Sequence, residues 1–81
     1  VEVTVALYVV YRKTAETETE VRYRFGSDTT NLDRELVIVK AGPIVEAMDG
    51  KTDPLVTTVA GRILAKKGTN PRWPGGGGIQ A

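Results

Sequence analysis

Asp53-Pro54-Leu55-Val56-Thr57-Thr58-Val59-Ala60-Gly61-Arg62-Ile63-Leu64-Ala65-Lys66-Lys67-Gly68 reads from end to end as one amphipathic helix. Asp53 is a residue type whose carboxylate accepts from the orphan N–H groups of a first turn. Pro54 follows at the one helical position where a missing N–H is harmless. Leu55, Val56, Val59, Ala60, Ile63 and Leu64 recur at the 3.6-residue period and make a single apolar stripe. Lys66 and Lys67 meet the negative end of the macrodipole, and Gly68 suits the residue that terminates a helix. Gly61 alone argues against helix, at a cost of about 1 kcal/mol relative to alanine, and is read as room for close approach to a sheet. The spacing predicts a helix from Asp53 to Lys67.

An apolar stripe needs a layer to cover, and the preceding residues supply strands. Val1, Val3, Val5, Leu7, Val9 and Tyr11 alternate with more polar positions, which predicts a long strand over residues 1–13. The polar stretch Lys13 to Thr19 reads as a hairpin connection, without the Asn-Gly or Asp-Gly pair that marks the tightest turns. Val21, Tyr23 and Phe25 alternate with Glu20, Arg22 and Arg24, a half-buried second strand over about Glu18 to Phe25. Ser27 to Asn31 is loop by composition. The run Leu36-Val37-Ile38-Val39 predicts a third strand, Arg34 to Lys40, either covered on both faces or lying inside an oligomer. Ala41-Gly42-Pro43 forces a bend, and Ile44 to Met48 is a short fourth strand at the sheet edge.

Beyond Gly68 the composition changes to two prolines, Trp73 and four consecutive glycines, which reads as an irregular tail. The expected fold is therefore α+β: a three- or four-stranded antiparallel β-meander with one C-terminal amphipathic helix packed on one face. Residues 1–68 form the single domain and 69–81 the Pro/Gly-rich tail.

The 81 residues contain neither cysteine nor histidine. Disulfides, thiolate or imidazole metal sites and histidine-based catalytic triads are excluded together. The longest apolar run is far shorter than the roughly 20 residues of a membrane-spanning helix, so no membrane partner is expected. Missing cysteines and the absence of a targeting segment lead to the expectation of a cytoplasmic protein.

Gly75-Gly76-Gly77-Gly78 lacks the lysine, the Ser/Thr and the following helix of a phosphate loop, and Gly50-Lys51-Thr52 lacks the upstream glycine. Asp28, Asp33 and Glu35, and separately Asp49 and Asp53, are carboxylates at spacings foreign to a calcium loop, and solvated loop acids and a helix cap account for them. Ser27 has no histidine to activate it. The expectation is a non-enzymatic protein without cofactor or metal.

Two surface features point to partners. Residues 1–53 carry a net charge of −3 and residues 54–81 a net charge of +4. Arg62, Lys66, Lys67 and Arg72 with Trp73 are thus the candidate contacts for a nucleic acid, by phosphate pairing and base stacking. Arg22 and Arg24, beside Tyr8, would extend that surface. The other feature is the sheet face away from the helix, where Tyr8, Val10, Val37 and Val39 make a candidate protein interface. The favoured reading is a small protein-interaction module, an accessory, inhibitor or regulatory subunit, self-associating as a homodimer through a sheet face or edge. A weak nucleic-acid binder is the alternative.

The phrase Tyr23-Arg24-Phe25-Gly26-Ser27-Asp28, then Leu32-Asp33-Arg34-Glu35-Leu36-Val37-Ile38, with a closing helix and Trp73-Pro74, resembles small uncharacterised actinobacterial proteins. The resemblance implies a bacterial origin and assigns no activity, ligand or site residue.

Overall fold

A computed structural model describes residues 8–27 and 32–80. In chain order the elements are β1 (Tyr8–Glu16), β2 (Glu20–Gly26), β3 (Arg34–Val39), β4 (Ile44–Ala47), α1 (Pro54–Lys67) and β5 (Gly76–Gln80). The strands form one sheet in the order β4-β3-β2-β1-β5. Every pairing is antiparallel. The first four strands are the expected meander, and residues 1–7 of the expected first strand lie outside the described residues.

Period-two alternation sets the faces. Val9 and Tyr11 of β1, Val21, Tyr23 and Phe25 of β2, and Leu36 and Ile38 of β3 point to the helix side and are almost fully buried. Val56, Val59 and Ile63 of α1 close over them in one cluster. The helix starts as its sequence dictates: the Val56 N–H donates to Asp53 Oδ1 at 3.1 Å. It ends as dictated too, with Gly68 at φ +46 donating its N–H to the Leu64 carbonyl.

β1 runs three residues past its expected end. A bulge between Lys13 and Ala15 resets the register to Glu16 opposite Val21, which lets polar residues continue the strand. The turn beyond it needs no glycine. Thr17 Oγ1 accepts from the N–H groups of Thr19 at 3.3 Å and Glu20 at 3.1 Å, a side-chain mimic of a backbone turn.

The strand count and the tail both require correction. A fifth strand comes from the tail itself, with Gly76, Gly77, Gly78, Ile79 and Gln80 pairing with Arg12, Tyr11, Val10, Val9 and Tyr8. Trp73 and Ile79 join the core on the helix side, at 9% and 3% exposure. Glycine is depleted in strands generally, so composition argued for a linker. Here its lack of a side chain is what admits the strand. A Cβ on Gly76 would stand 2.8 Å from the Tyr11 carbonyl oxygen, and one on Gly77 would stand 2.9 Å from the Tyr11 hydroxyl. Gly61, in contrast, makes no close approach: it is exposed, and a Cβ there would meet nothing within 4 Å.

Candidate interaction site

β4 is one edge of the sheet. The Met48 N–H donates to the Glu35 carbonyl at 2.9 Å. By the alternation of an antiparallel ladder, Glu46 and Ile44 also bond inward to β3, and Val45 turns its N–H and C=O outward. The Val45 side chain belongs to the helix side and packs against the core, with Ala47. Ile44 at 55% and Met48 at 51% exposure, one within β4 and one just beyond it, are the most exposed large apolar side chains among the described residues, with Tyr8 at 49%.

Between this edge and α1 lies a groove of about 280 Å³, lined by Val45, Thr52, Val56, Thr57, Ala60, Gly61 and Leu64. The helical members fall at successive turns, so the wall is one apolar strip of α1. A shallower concavity of about 380 Å³ runs along Val45, Ala47 and Met48 and shares Val45 and Thr52 with the groove. Edge and groove are therefore continuous. Backbone without a partner among the described residues on one side, and apolar lining on the other, are what an extended polypeptide uses when it adds to a sheet.

Arg34 holds the frame of this site. Its Nε donates to Asp49 Oδ2 and its Nη1 to Asp53 Oδ2, both at 2.9 Å, and Nη2 donates to the Lys51 carbonyl at 3.1 Å. The guanidinium also lies over the Phe25 ring, 5.0 Å from its centroid. The whole 49–53 connection between β4 and α1 is thereby tied to β3, which fixes the spacing of strand and helix at the end where Thr52 lines the groove. The electrostatics follow. Hydrogen bonding from Arg34, then from the Lys51 N–H, holds the Asp49 carboxyl below its ordinary pKa. The Val56 N–H does the same for Asp53, with Arg34 adding to it. Hydrogen bonding to Asp49 first, and to Asp53, holds Arg34 above its ordinary value.

The residues expected at a protein interface fall on the sheet face away from α1. Tyr8 is exposed there and Val39 partly so, but Val10 and Val37 are buried within the chain at 8% and 4% exposure. Arg22, the cross-strand partner of Val37, reaches Glu20 Oε2 at 3.4 Å and Glu35 Oε2 at 3.7 Å on the same face. The apolar area of that face is smaller than the residue types alone suggest.

The basic residues of the nucleic-acid reading gather at the end of α1. Lys67 Nζ sits 5.3 Å from the Trp73 ring centroid and donates to the Asn70 carbonyl at 2.7 Å. Trp73 is 9% exposed and belongs to the core, so its ring is closed to a stacking base. Arg62, Lys66 and Arg72 are exposed. Of the acidic candidates, Asp28 lies outside the described residues, Asp33 is exposed, and Glu35 faces Arg22. Among the described residues, no group of three or more acidic side chains is placed to hold a metal ion. No helix among them is long and apolar enough to cross a membrane.

The sequence carried two signs of the groove that its reading did not join. One is a mid-helix glycine; the other is an edge strand of only four residues, Ile44–Ala47. Taking Gly61 as a contact with the sheet concealed that it is a gap. No protein-family model matches the chain, and neither a curated protein nor a solved structure shows significant similarity to it.

Proposed function

We propose that this protein is a non-enzymatic interaction module that accepts an extended polypeptide segment along β4, with alternate side chains entering the groove against α1. The observation that carries the reading is the outward-facing backbone of Val45 beside an apolar groove floored by Gly61. A glycine at this helical position costs about 1 kcal/mol relative to alanine, and nothing among the described residues uses the space it leaves. Room for a visiting side chain accounts for it. Candidate ligands share one chemistry: a strand with apolar residues at every second position.

Substitution at Gly61 separates binding from folding. Gly61→Gln should raise the unfolding free energy by about 0.5–1 kcal/mol, because glutamine is the better helix former and the space is open. The same change should abolish binding by filling the groove. Selection from a displayed library of random decapeptides provides the readout: alternating apolar sequences should be enriched on the natural protein and lost on Gly61→Gln. Peptides that bind both proteins equally, or no enrichment at all, would refute the proposal.

A further inference from the structure

The groove has a candidate occupant within the chain's own sequence. Val1-Glu2-Val3-Thr4-Val5-Ala6-Leu7 carries apolar residues at every odd position and polar or small ones between. Laid along β4 with its odd side chains toward α1, such a segment would present Val3, Val5 and Leu7 to the groove. Glu2 and Thr4 would then face the opposite, solvent side. Pattern and groove match in period and polarity, and seven residues, about 23 Å when extended, are more than enough to cover a four-residue edge of about 13 Å.

The segment cannot reach that position in its own molecule. It is bonded to Tyr8, the first described residue of β1, and β1 is separated from β4 by β2 and β3, a lateral distance of about 14 Å at the usual strand spacing. The register adds a second displacement along the strands. Val45 pairs with Ile38, Ile38 with Val21, and Val21 with Glu16. Val45 is therefore level with Glu16, about 25 Å along β1 from Tyr8 at the usual rise per residue. The combined span is about 29 Å, longer than the extended segment, before any residue is left to lie along the edge. A second copy of the chain has no such restriction.

We infer that Val1–Leu7 of one molecule docks on the β4 edge and α1 groove of a second copy, reciprocally about a twofold axis. The inference rests on the strand-accepting groove proposed above and names its partner. A twofold arrangement places one segment and one groove on each side of the interface, which doubles the contact without a second kind of surface.

The test uses the full chain and two variants in sedimentation equilibrium at high micromolar concentration. The natural protein should be a dimer. Val3→Lys with Val5→Lys disables the segment and leaves the groove intact; Gly61→Gln disables the groove and leaves the segment intact. Each variant alone should dimerise at least tenfold more weakly, with far-UV circular dichroism confirming that both are folded. Mixed in equal amounts, they retain one working segment and one working groove, so the mixture should associate where neither variant does alone.

A strictly monomeric natural protein would overturn the inference. So would undiminished dimerisation of the Lys variant, or of Gly61→Gln, or a mixture that stays monomeric. These results are distinct from failure of the groove itself. A groove that still selects alternating apolar peptides, while the Lys variant dimerises normally, keeps its proposed chemistry and loses only this occupant.

Discussion

Tyr11 and Tyr23 meet edge to face on neighbouring strands, with ring centroids 6.0 Å apart, yet their hydroxyls stand in opposite situations. The Tyr23 hydroxyl donates to the Pro74 carbonyl at 2.5 Å and so fastens the segment leading into β5. Burial pushes its phenol well above the ordinary value, which favours the protonated, donating form. The Tyr11 hydroxyl is buried without a partner among the described residues. The same substitution should therefore have different signs at the two sites. Tyr23→Phe should cost about 1 kcal/mol through the lost hydrogen bond, whereas Tyr11→Phe should be neutral or stabilising by up to about 1 kcal/mol. Urea unfolding of both variants measures the difference, and equal losses would contradict this account. Residue roles were legible in the sequence where partners are close along the chain, as with Asp53, whose acceptor work is done three residues on. Arg34 was not legible. Its carboxylate partners lie 15 and 19 residues away, and only the folded meander brings them together.

Among the elements, α1 was fully legible because cap, stripe and terminator agree independently. β5 was hidden because strand propensity counts glycine against a strand, while the reason for glycine here is the closeness of Tyr11, a residue far away in sequence. The β1–β2 hairpin was legible as a connection and its stabilisation was not. Glu16 accepts from Lys13 Nζ and Lys40 Nζ, each at 2.8 Å, and these bonds lower its pKa from the ordinary 4.5 to about 2. A carboxyl with a lower pKa in the folded state stabilises the fold fully above its unfolded value and loses that contribution as pH falls through the folded one. Melting temperature should accordingly fall between pH 4.5 and pH 2. Glu16→Gln should show a shallower fall over that window, converging on the natural protein at its acid end. Asp49 and Asp53, also lowered, keep part of the slope in both proteins. Thermal melts in a pH series provide the comparison, and parallel slopes would remove Glu16 from the explanation.

For the molecule as a whole, the tail is part of the core. Trp73 and Ile79 belong to the same buried cluster as Val9, Tyr11 and Ile63, and β5 occupies the outer flank of β1. A chain of this size buries only about 60–65% of the surface exposed when unfolded, which leaves little surplus to lose. The shortened chain ending at Gly68, which holds the four-stranded meander and the helix, should therefore fail to fold cooperatively. A sigmoidal thermal transition with native-like circular dichroism in that shortened chain would show that the tail is dispensable. Pairing β5 with β1 also imposes an order of completion. β1 to β4 are joined by short connections and can meet as soon as each neighbour exists, but the flank of Tyr8–Arg12 must wait for Gly76–Gln80, the most distant pairing in the sheet and the slowest kind to find. Until that last strand arrives, a row of unsatisfied backbone groups is on offer to any strand nearby, and the molecule is at its most vulnerable just before it is finished.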